Sequence, residues 1–447
     1  MRVLLAVHHF LPHHIGGAEW QAYRIARELR GKGHDVRVIC VESDTHGSAG
    51  QLEYTDGPYD GIPVRRLFFN LPLSPDPFRW SFRNPLIERH LLVYLEEFLP
   101  DVLHLISGYL MSGSVISAAR SSGTPVVLMP MDFWFLCPRV TLLRRDGLVC
   151  DVPEDLVECA VCLRQDRRRY RWAAHLTGGI SNQLLRRLWR SWAMLKEMGK
   201  EDLLAALQER RGYLQEVFGA ANLVLFNSQF LKEMLTIHEF RAQRFLRLRQ
   251  GVATERWIGD GTKKPSPHLR VGYIGQIARH KGVAVLVRAF NRLRTKGPAP
   301  RLLLYGDAEQ FPSFAHRLHR LIGGNERIAL AGTFPNDQVL GVHSRLDVLV
   351  VPSMWYENSP NVILEAFAAK TPVVASNIGG MAELVQHEGN GLLFETGNVE
   401  DLTHQLQRIV DQPRLLESLR REIRPVQTVQ QEMAKLVQIY HSVVGRS

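Results

Sequence analysis

Short, almost wholly apolar runs recur along the chain, at 3–7, 36–41, 101–106, 125–128, 221–227, 271–275, 301–305, 328–330, 348–351 and 373–375. Runs this short, apolar at consecutive rather than alternate positions, predict parallel strands buried on both faces. Stretches of helical period lie between them. One covers 21–29 and is closed by Gly31-Lys32-Gly33, and another covers 113–120. A third opens at Ser359, read as an N-cap, with Pro360 in the first turn. It carries Val362, Ile363, Leu364, Ala366 and Phe367 and stops before Thr371-Pro372. From 425 onward, Met433, Leu436, Ile439 and Tyr440 mark one face of a last amphipathic helix. This alternation predicts an α/β protein built on doubly wound parallel sheets. A chain of 447 residues has room for two or three domains. The stretch 259–267, rich in Gly, Lys and Pro, reads as a linker.

Candidate chemistry gathers where strands end. After 348–351 a loop carries Glu357, and the helix beyond it places Glu365 two turns in. Between these carboxylates, Asn358, Ser359 and Asn361 stand at a helix N-terminus, whose unpaired N–H groups and positive dipole end suit an anionic ligand. Gly379-Gly380 reads as the loop above 373–375. Gly16-Gly17 lies between the first strand and first helix, where backbone either approaches a phosphate or simply turns. By itself the spacing of two Glu also fits an ordinary strand–turn–helix unit with a solvent-exposed carboxylate.

The longer string narrows the choice. VLVVPSMWYENSPNVILEAFAAKTPVVASNIGGMAE, with NGLLF downstream, resembles the E-x7-E segment of the retaining glycosyltransferases of family 4. These have the GT-B fold, two Rossmann-like domains facing a cleft. The resemblance covers nearly the whole chain apart from an insertion at about 139–219. It implies that Glu357 contacts the donor sugar and Glu365 the ribose, with Asn358, Ser359 and Asn361 on the donor side. It sets Gly16 and Gly17 over the donor pyrophosphate. It makes Lys281 the cation of a G-R-x(n)-K-G phosphate loop that also holds Gln276, in place of the usual Arg, and Arg279. Gly332 and Thr333 fall where the family lines its base pocket. Many members carry a His before an Asp-aromatic-Trp string; here that position is Met131, whose thioether has no proton to give. Asp132 is retained, and fits either a polar group at the reaction centre or a turn or cap aspartate.

The implied activity is transfer of a sugar, with retention, from a nucleotide-sugar donor to a glycan or lipid-linked acceptor in cell-surface polysaccharide or glycolipid synthesis. The implied catalytic set is Glu357, Asp132 and Lys281, with no cofactor required for the chemistry. The implied domains are an acceptor-side unit over 1–258, a nucleotide-sugar unit over 268–424, and a helix over 425–447 that crosses back. The alternative is a catalytically silent nucleotide-sugar-binding protein, motivated by Met131 and Gln276; the retained Glu357, Glu365, Lys281 and Gly16-Gly17 favour the enzyme.

Composition adds three things. Apolar content of 45% with 22% charged residues is that of a globular protein. No run is long enough to span a bilayer or resembles a signal sequence, so the chain is expected in the cytoplasm. The net charge of +10 suits an anionic partner, and with no nucleic-acid-binding signature the expected partners are phosphorylated ligands or a membrane face.

The charge concentrates in the insertion. Residues 164–192 hold eight arginines against one acid, Asp166, interleaved with Tyr170, Trp172, Trp189 and Trp192. This fits a solvated helical hairpin, or a surface that meets anionic headgroups at the inner face of the membrane. Just before it, Cys137, Cys150, Cys159 and Cys162 fall within 26 residues and end in C-x2-C. Their spacing fits a structural zinc site; an iron–sulfur cluster, a redox pair and buried thiols are the alternatives. Cys40, in the second strand, reads as core.

Overall fold

The computed structural model describes residues 1–144, 147–165, 201–256, 263 and 265–445. The arginine-rich segment at 166–192 therefore lies outside the described residues, as does most of the expected linker. The chain divides into two compact units.

The first unit comprises Met1–Phe226, Lys232–Leu248 and Met433–Ser447. Its eight strands are β1 (Arg2–Val7), β2 (Asp35–Ser43), β3 (Leu52–Tyr59), β4 (Ile62–Phe69), β5 (Val102–Ile106), β6 (Val126–Met129), β7 (Leu223–Phe226) and β8 (Phe245–Arg247). They pair in the order β3-β4-β2-β1-β5-β6-β7-β8. All neighbours run parallel except β3 and β4, an antiparallel hairpin at the sheet edge. β1 lies at the middle, with Val3, Leu4, Leu5, Ala6 and Val7 all at zero exposure, so both of its faces are covered. The helix Val429–Val444 ends the chain; its Tyr440 hydroxyl meets the buried His104 Nδ1 on β5 at 2.6 Å.

The second unit comprises Asn227–Leu231 and Arg249–Glu432. Its strands are β9 (Arg270–Ile274), β10 (Arg301–Tyr305), β11 (Ile328–Gly332), β12 (Val348–Val351), β13 (Val373–Ser376) and β14 (Gly391–Phe394). They form a parallel sheet in the order β11-β10-β9-β12-β13-β14. The run VLVV of β12 shows why its apolar positions are consecutive. Val348 and Val350 enter one core cluster with Leu286, Leu304 and Leu402, while Leu349 and Val351 enter the other with Ile363, Phe367 and Met381. The strand order reverses direction between β9 and β12, and in open α/β sheets ligands bind at such a switch, outside the carboxyl ends of the strands. Among the described residues no helix is long and apolar enough to cross a membrane.

Candidate active site

In the second unit, the carboxyl ends of β9 and β12 carry a compact polar constellation. β12 ends at Val351, and the loop beyond it carries Glu357, one oxygen of which accepts from three donors. Ser353 Oγ donates to Glu357 Oε1 at 2.9 Å, Trp355 Nε1 at 2.8 Å and Lys281 Nζ at 2.7 Å. Lys281 comes from the turn Arg279–Lys281 after β9, and its ammonium lies 4.8 Å from the centre of the Trp355 ring. Burial alone would push the Glu357 pKa up. The Lys281 charge and the three hydrogen bonds outweigh it, so the carboxyl sits below its ordinary value. Burial, reinforced by the Lys281 charge, pushes the neighbouring His280 down to about 4.

Two glycines let these loops meet. Gly282 has φ +72, and a Cβ there would overlap the Pro352 carbonyl oxygen. At Gly380 a Cβ would overlap the Asn358 carbonyl oxygen, and its N–H donates to Glu357 O at 2.8 Å. Gly379-Gly380 thus opens the helix Gly379–Leu384, where the sequence suggested a loop. The first helical turn needs a side-chain-free residue against the 357–358 backbone, which glycine supplies. The helix after Glu357 also starts later than expected, covering Asn361–Ala368. Pro360, with ψ 115, stays outside it and takes the N-cap position that Ser359 was expected to fill, and no side chain caps the end.

The remaining expected donor residues surround this centre unevenly. Asn358 is buried, its Oδ1 accepting from Ser228 Oγ at 2.5 Å. Asn361 opens the helix and Glu365 lies in its second turn. Gln276 and Arg279 are exposed on the loop after β9. Gly332 closes β11 at φ +70, and Thr333 beside it is exposed. The structure joins Lys281 to Glu357, while Asn358, next in the chain, is held by Ser228. It adds Ser353, Trp355 and His280, which sequence reasoning missed although Ser353 and Trp355 stand inside the string that carried the resemblance.

The first unit holds a second cluster, again at strand ends. Asp132 follows β6; its Oδ1 accepts the Trp134 N–H at 2.9 Å, a local turn, while Oδ2 accepts the Ser107 hydroxyl. Ser107 follows β5 with φ +64, a left-handed conformation unusual outside glycine. Burial raises the Asp132 pKa, with Ser107 and His8 partly offsetting it. His8, just past β1, has Nε2 3.2 Å from Glu19 Oε1, and its Nδ1 is buried without a hydrogen-bond partner. Glu19 is buried in the first turn of the helix Gly17–Gly31. Burial works against its charge, but the bond and charge of His8 win and its pKa is lowered. Gly16 is the N-cap of that helix and Gly17 its first residue, with open space where a Cβ would point at Gly17. His8, Glu19 and Ser107 were not singled out from sequence; their place one step beyond the neighbouring strands β1 and β5, or in the first helical turn, was the available signal. The four cysteines also lie in this unit, around a separate cavity.

Known proteins share this organisation. Residues 16–213 match the family model of the glycosyl transferase 4-like domain, and 259–425 that of glycosyl transferases group 1. The chain belongs to this group of GT-B glycosyltransferases and is an enzyme that uses a nucleotide-sugar donor. A glycogen synthase of Mycobacterium tuberculosis is 23% identical over 424 residues, covering 92% of this chain and 87% of that protein. A 2-deoxystreptamine glucosyltransferase of Streptomyces kanamyceticus is 32% identical over 143 residues, 32% of this chain and 36% of the other. Among solved structures, sucrose-phosphate synthase from Thermosynechococcus elongatus aligns with a TM-score of 0.67 at 18% identity over all of both chains. Anabaena HepE in complex with UDP aligns at 0.66 and 17% identity, covering 99% of this chain and all of that one.

Proposed function

We propose that the enzyme transfers a hexosyl unit, with retention of anomeric configuration, from a nucleoside-diphosphate sugar to a glycan or lipid-linked acceptor in polysaccharide or glycolipid assembly. The observation that carries this reading is the Lys281–Glu357 pair at the carboxyl ends of β9 and β12, followed eight residues on by Glu365. The ion pair stores a cation and an anion side by side in a partly water-excluded loop. An arriving donor replaces each partner. Its pyrophosphate takes Lys281, which stabilises the charge that grows on the leaving group, and a sugar hydroxyl takes Glu357. Trp355 and Ser353 keep that carboxylate in place with little reorganisation. Glu365, in the second turn of the helix Asn361–Ala368, holds the ribose hydroxyls. The Asp132, His8 and Glu19 cluster of the first unit is assigned to the acceptor and its proton.

The names of similar proteins support the class of substrate. Glycogen synthase, a glucosyltransferase and a capsular polysaccharide biosynthesis glycosyltransferase of Staphylococcus aureus are among the relatives. Solved Anabaena HepE complexes carry UDP and UDP-glucose, and starch synthase IV of Arabidopsis thaliana carries ADP. UDP-glucose and ADP-glucose are therefore the first donors to test. The experiment is thermal stabilisation by a panel of nucleotide sugars, then transfer to lipid and oligosaccharide acceptors with the anomer assigned by NMR. An inverted product, or no transfer from any donor that stabilises the protein, defeats the proposal.

A further inference from the structure

Cys137, Cys150, Cys159 and Cys162 reach one place from three local elements. Cys137 ends the turn after β6, its N–H donating to Phe133 O at 2.8 Å. Cys150 follows a bridged ribbon, Leu143 opposite Val149, and its N–H donates to Leu142 O at 2.8 Å. Cys159 and Cys162 stand three apart on the helix Leu156–Arg164, hence on one face. All four line a single cavity of about 300 Å³. None is in a disulfide.

Two further features accompany these cysteines. Arg210, on the helix Glu201–Ala220, is 4% exposed; its guanidinium donates to the Trp134 and Phe135 carbonyls, and no carboxylate among the described residues pairs with it. Arg210 lines a small pocket together with Cys159 and Pro138. A buried cation without a counter-ion is costly, and that cost falls if an anionic centre lies beside it. The intervening chain also holds Val140, Leu142 and Val152 at positive φ, +68, +50 and +53. Bulky non-glycine residues, and β-branched valines above all, occupy this region only where something over-determines the backbone.

We propose that these four cysteines form a structural tetrathiolate site for a zinc-class divalent cation. Four thiolates around one such ion make a net dianionic centre, which Arg210 offsets from the far side. The cation ties the loop of Cys137, the ribbon of Cys150 and the Cys159–Cys162 helix into one unit. Among the described residues no three His, Cys, Asp or Glu side chains already stand close enough to hold a metal ion. The four thiols share the lining of one cavity, and binding the cation would draw them together there. Four ligands leave no open position, so the role is structural rather than catalytic.

The test uses the full chain, reduced, stripped of metal and titrated with Co²⁺ and separately with Zn²⁺. Saturation at about one equivalent, with the charge-transfer and ligand-field bands of tetrahedral tetrathiolate cobalt, is the expected result. Cys159→Ser should abolish those bands while Cys40→Ser keeps them. Arg210→Met should weaken Zn²⁺ affinity by roughly 10–100-fold, the usual loss when a supporting group around a metal site is removed. Because the wild-type spectrum reads the ligand set directly, a variant that fails to fold does not blunt the test. Absence of stoichiometric uptake, a cobalt spectrum with fewer than four sulfur ligands, or iron with sulfide in protein purified without chelator would each overturn the proposal.

Discussion

Glu357 is a carboxylate that folding has made acidic, and this has a readable consequence. Its folded pKa lies below the ordinary 4.5, so it contributes stability that is fully present above that pH and is lost as pH falls through the lower folded value. The first attraction holding it down is Lys281. Lys281→Met should raise the Glu357 pKa and so shrink the acid loss of stability that this carboxyl contributes. At neutral pH it should cost about 3 kcal/mol, the low end for a buried pair because both side chains keep some contact with water. Thermal midpoints of both proteins across the acid range check this; identical profiles would show that the pair does not set the titration. The two carboxylates of E-x7-E should separate by ligand. Glu365→Ala is expected to weaken binding of the free nucleoside diphosphate, whereas Glu357→Gln should leave it nearly unchanged and lower turnover at least tenfold. Calorimetry with the nucleotide alone decides it, and equal affinities for wild type and Glu365→Ala would remove Glu365 from the ribose. Residue by residue, the sequence displayed Lys281 and Glu357 as candidates because each sits in a recognisable string. It could not display that one donates to the other across 76 positions, nor that Trp355 and Ser353 share the same oxygen. Hydrogen bonds between loops are properties of the folded backbone. His8 and Glu19 stayed hidden for the same reason.

Among elements, legibility followed burial. β12 appears at Val348–Val351, the span its apolar run announces, because a strand covered on both faces has no polar position to blur it. The hairpin of β3 and β4 was not foreseen. β3 reads LEYTDGPY and is exposed along almost all of its length, so neither an apolar run nor a clean alternation marks it. Boundaries shifted where backbone chemistry, not pattern, decides them, as at Pro360 and at Gly379. The turn between β9 and the helix Val283–Asn291 is the element on which the site depends most directly. Gly282 terminates the Arg279–Lys281 turn and caps that helix at a φ of +72, with Pro352 O where a Cβ would stand. Gly282→Ala should cost roughly 1–2 kcal/mol for the left-handed backbone, plus the displacement of the Pro352 loop that carries Glu357. Thermal midpoint and nucleotide affinity should fall together. Gly297→Ala, where a Cβ meets nothing within 4 Å, is the matched control. If the two variants behave alike, the close approach of the loops is not what positions Lys281.

For the molecule as a whole, charge is the property least explained by a donor site that balances Lys281 against Glu357. The net formal charge is +10, and the segment 164–192 alone, with eight arginines and one aspartate, accounts for seven of those charges. The remainder of the chain is therefore close to neutral for its size, and a long-range attraction to anions would act through one stretch. That stretch also carries Trp172, Trp189 and Trp192, side chains with an apolar body and a polar edge that suit the boundary between water and lipid. We propose that it seats the enzyme on anionic membrane, where a lipid-linked acceptor is presented. Near an anionic leaflet each Arg contributes roughly 1 kcal/mol, and the attraction decays over a Debye length of about 10 Å at 0.1 M salt. Several arginines acting together are enough for reversible association at low ionic strength, and salt should release it. The wild-type chain should co-sediment with vesicles containing phosphatidylglycerol and leave them as salt rises. Arg186, Arg187 and Arg190 changed together to Glu should abolish co-sedimentation while donor-induced thermal stabilisation is unchanged, since the donor constellation is built from other parts of the chain. Binding to neutral vesicles as strong as to anionic ones would point to the tryptophans instead of the charge. Failure of the wild type to co-sediment at low salt would leave the arginines as a solvated surface and the acceptor without a membrane.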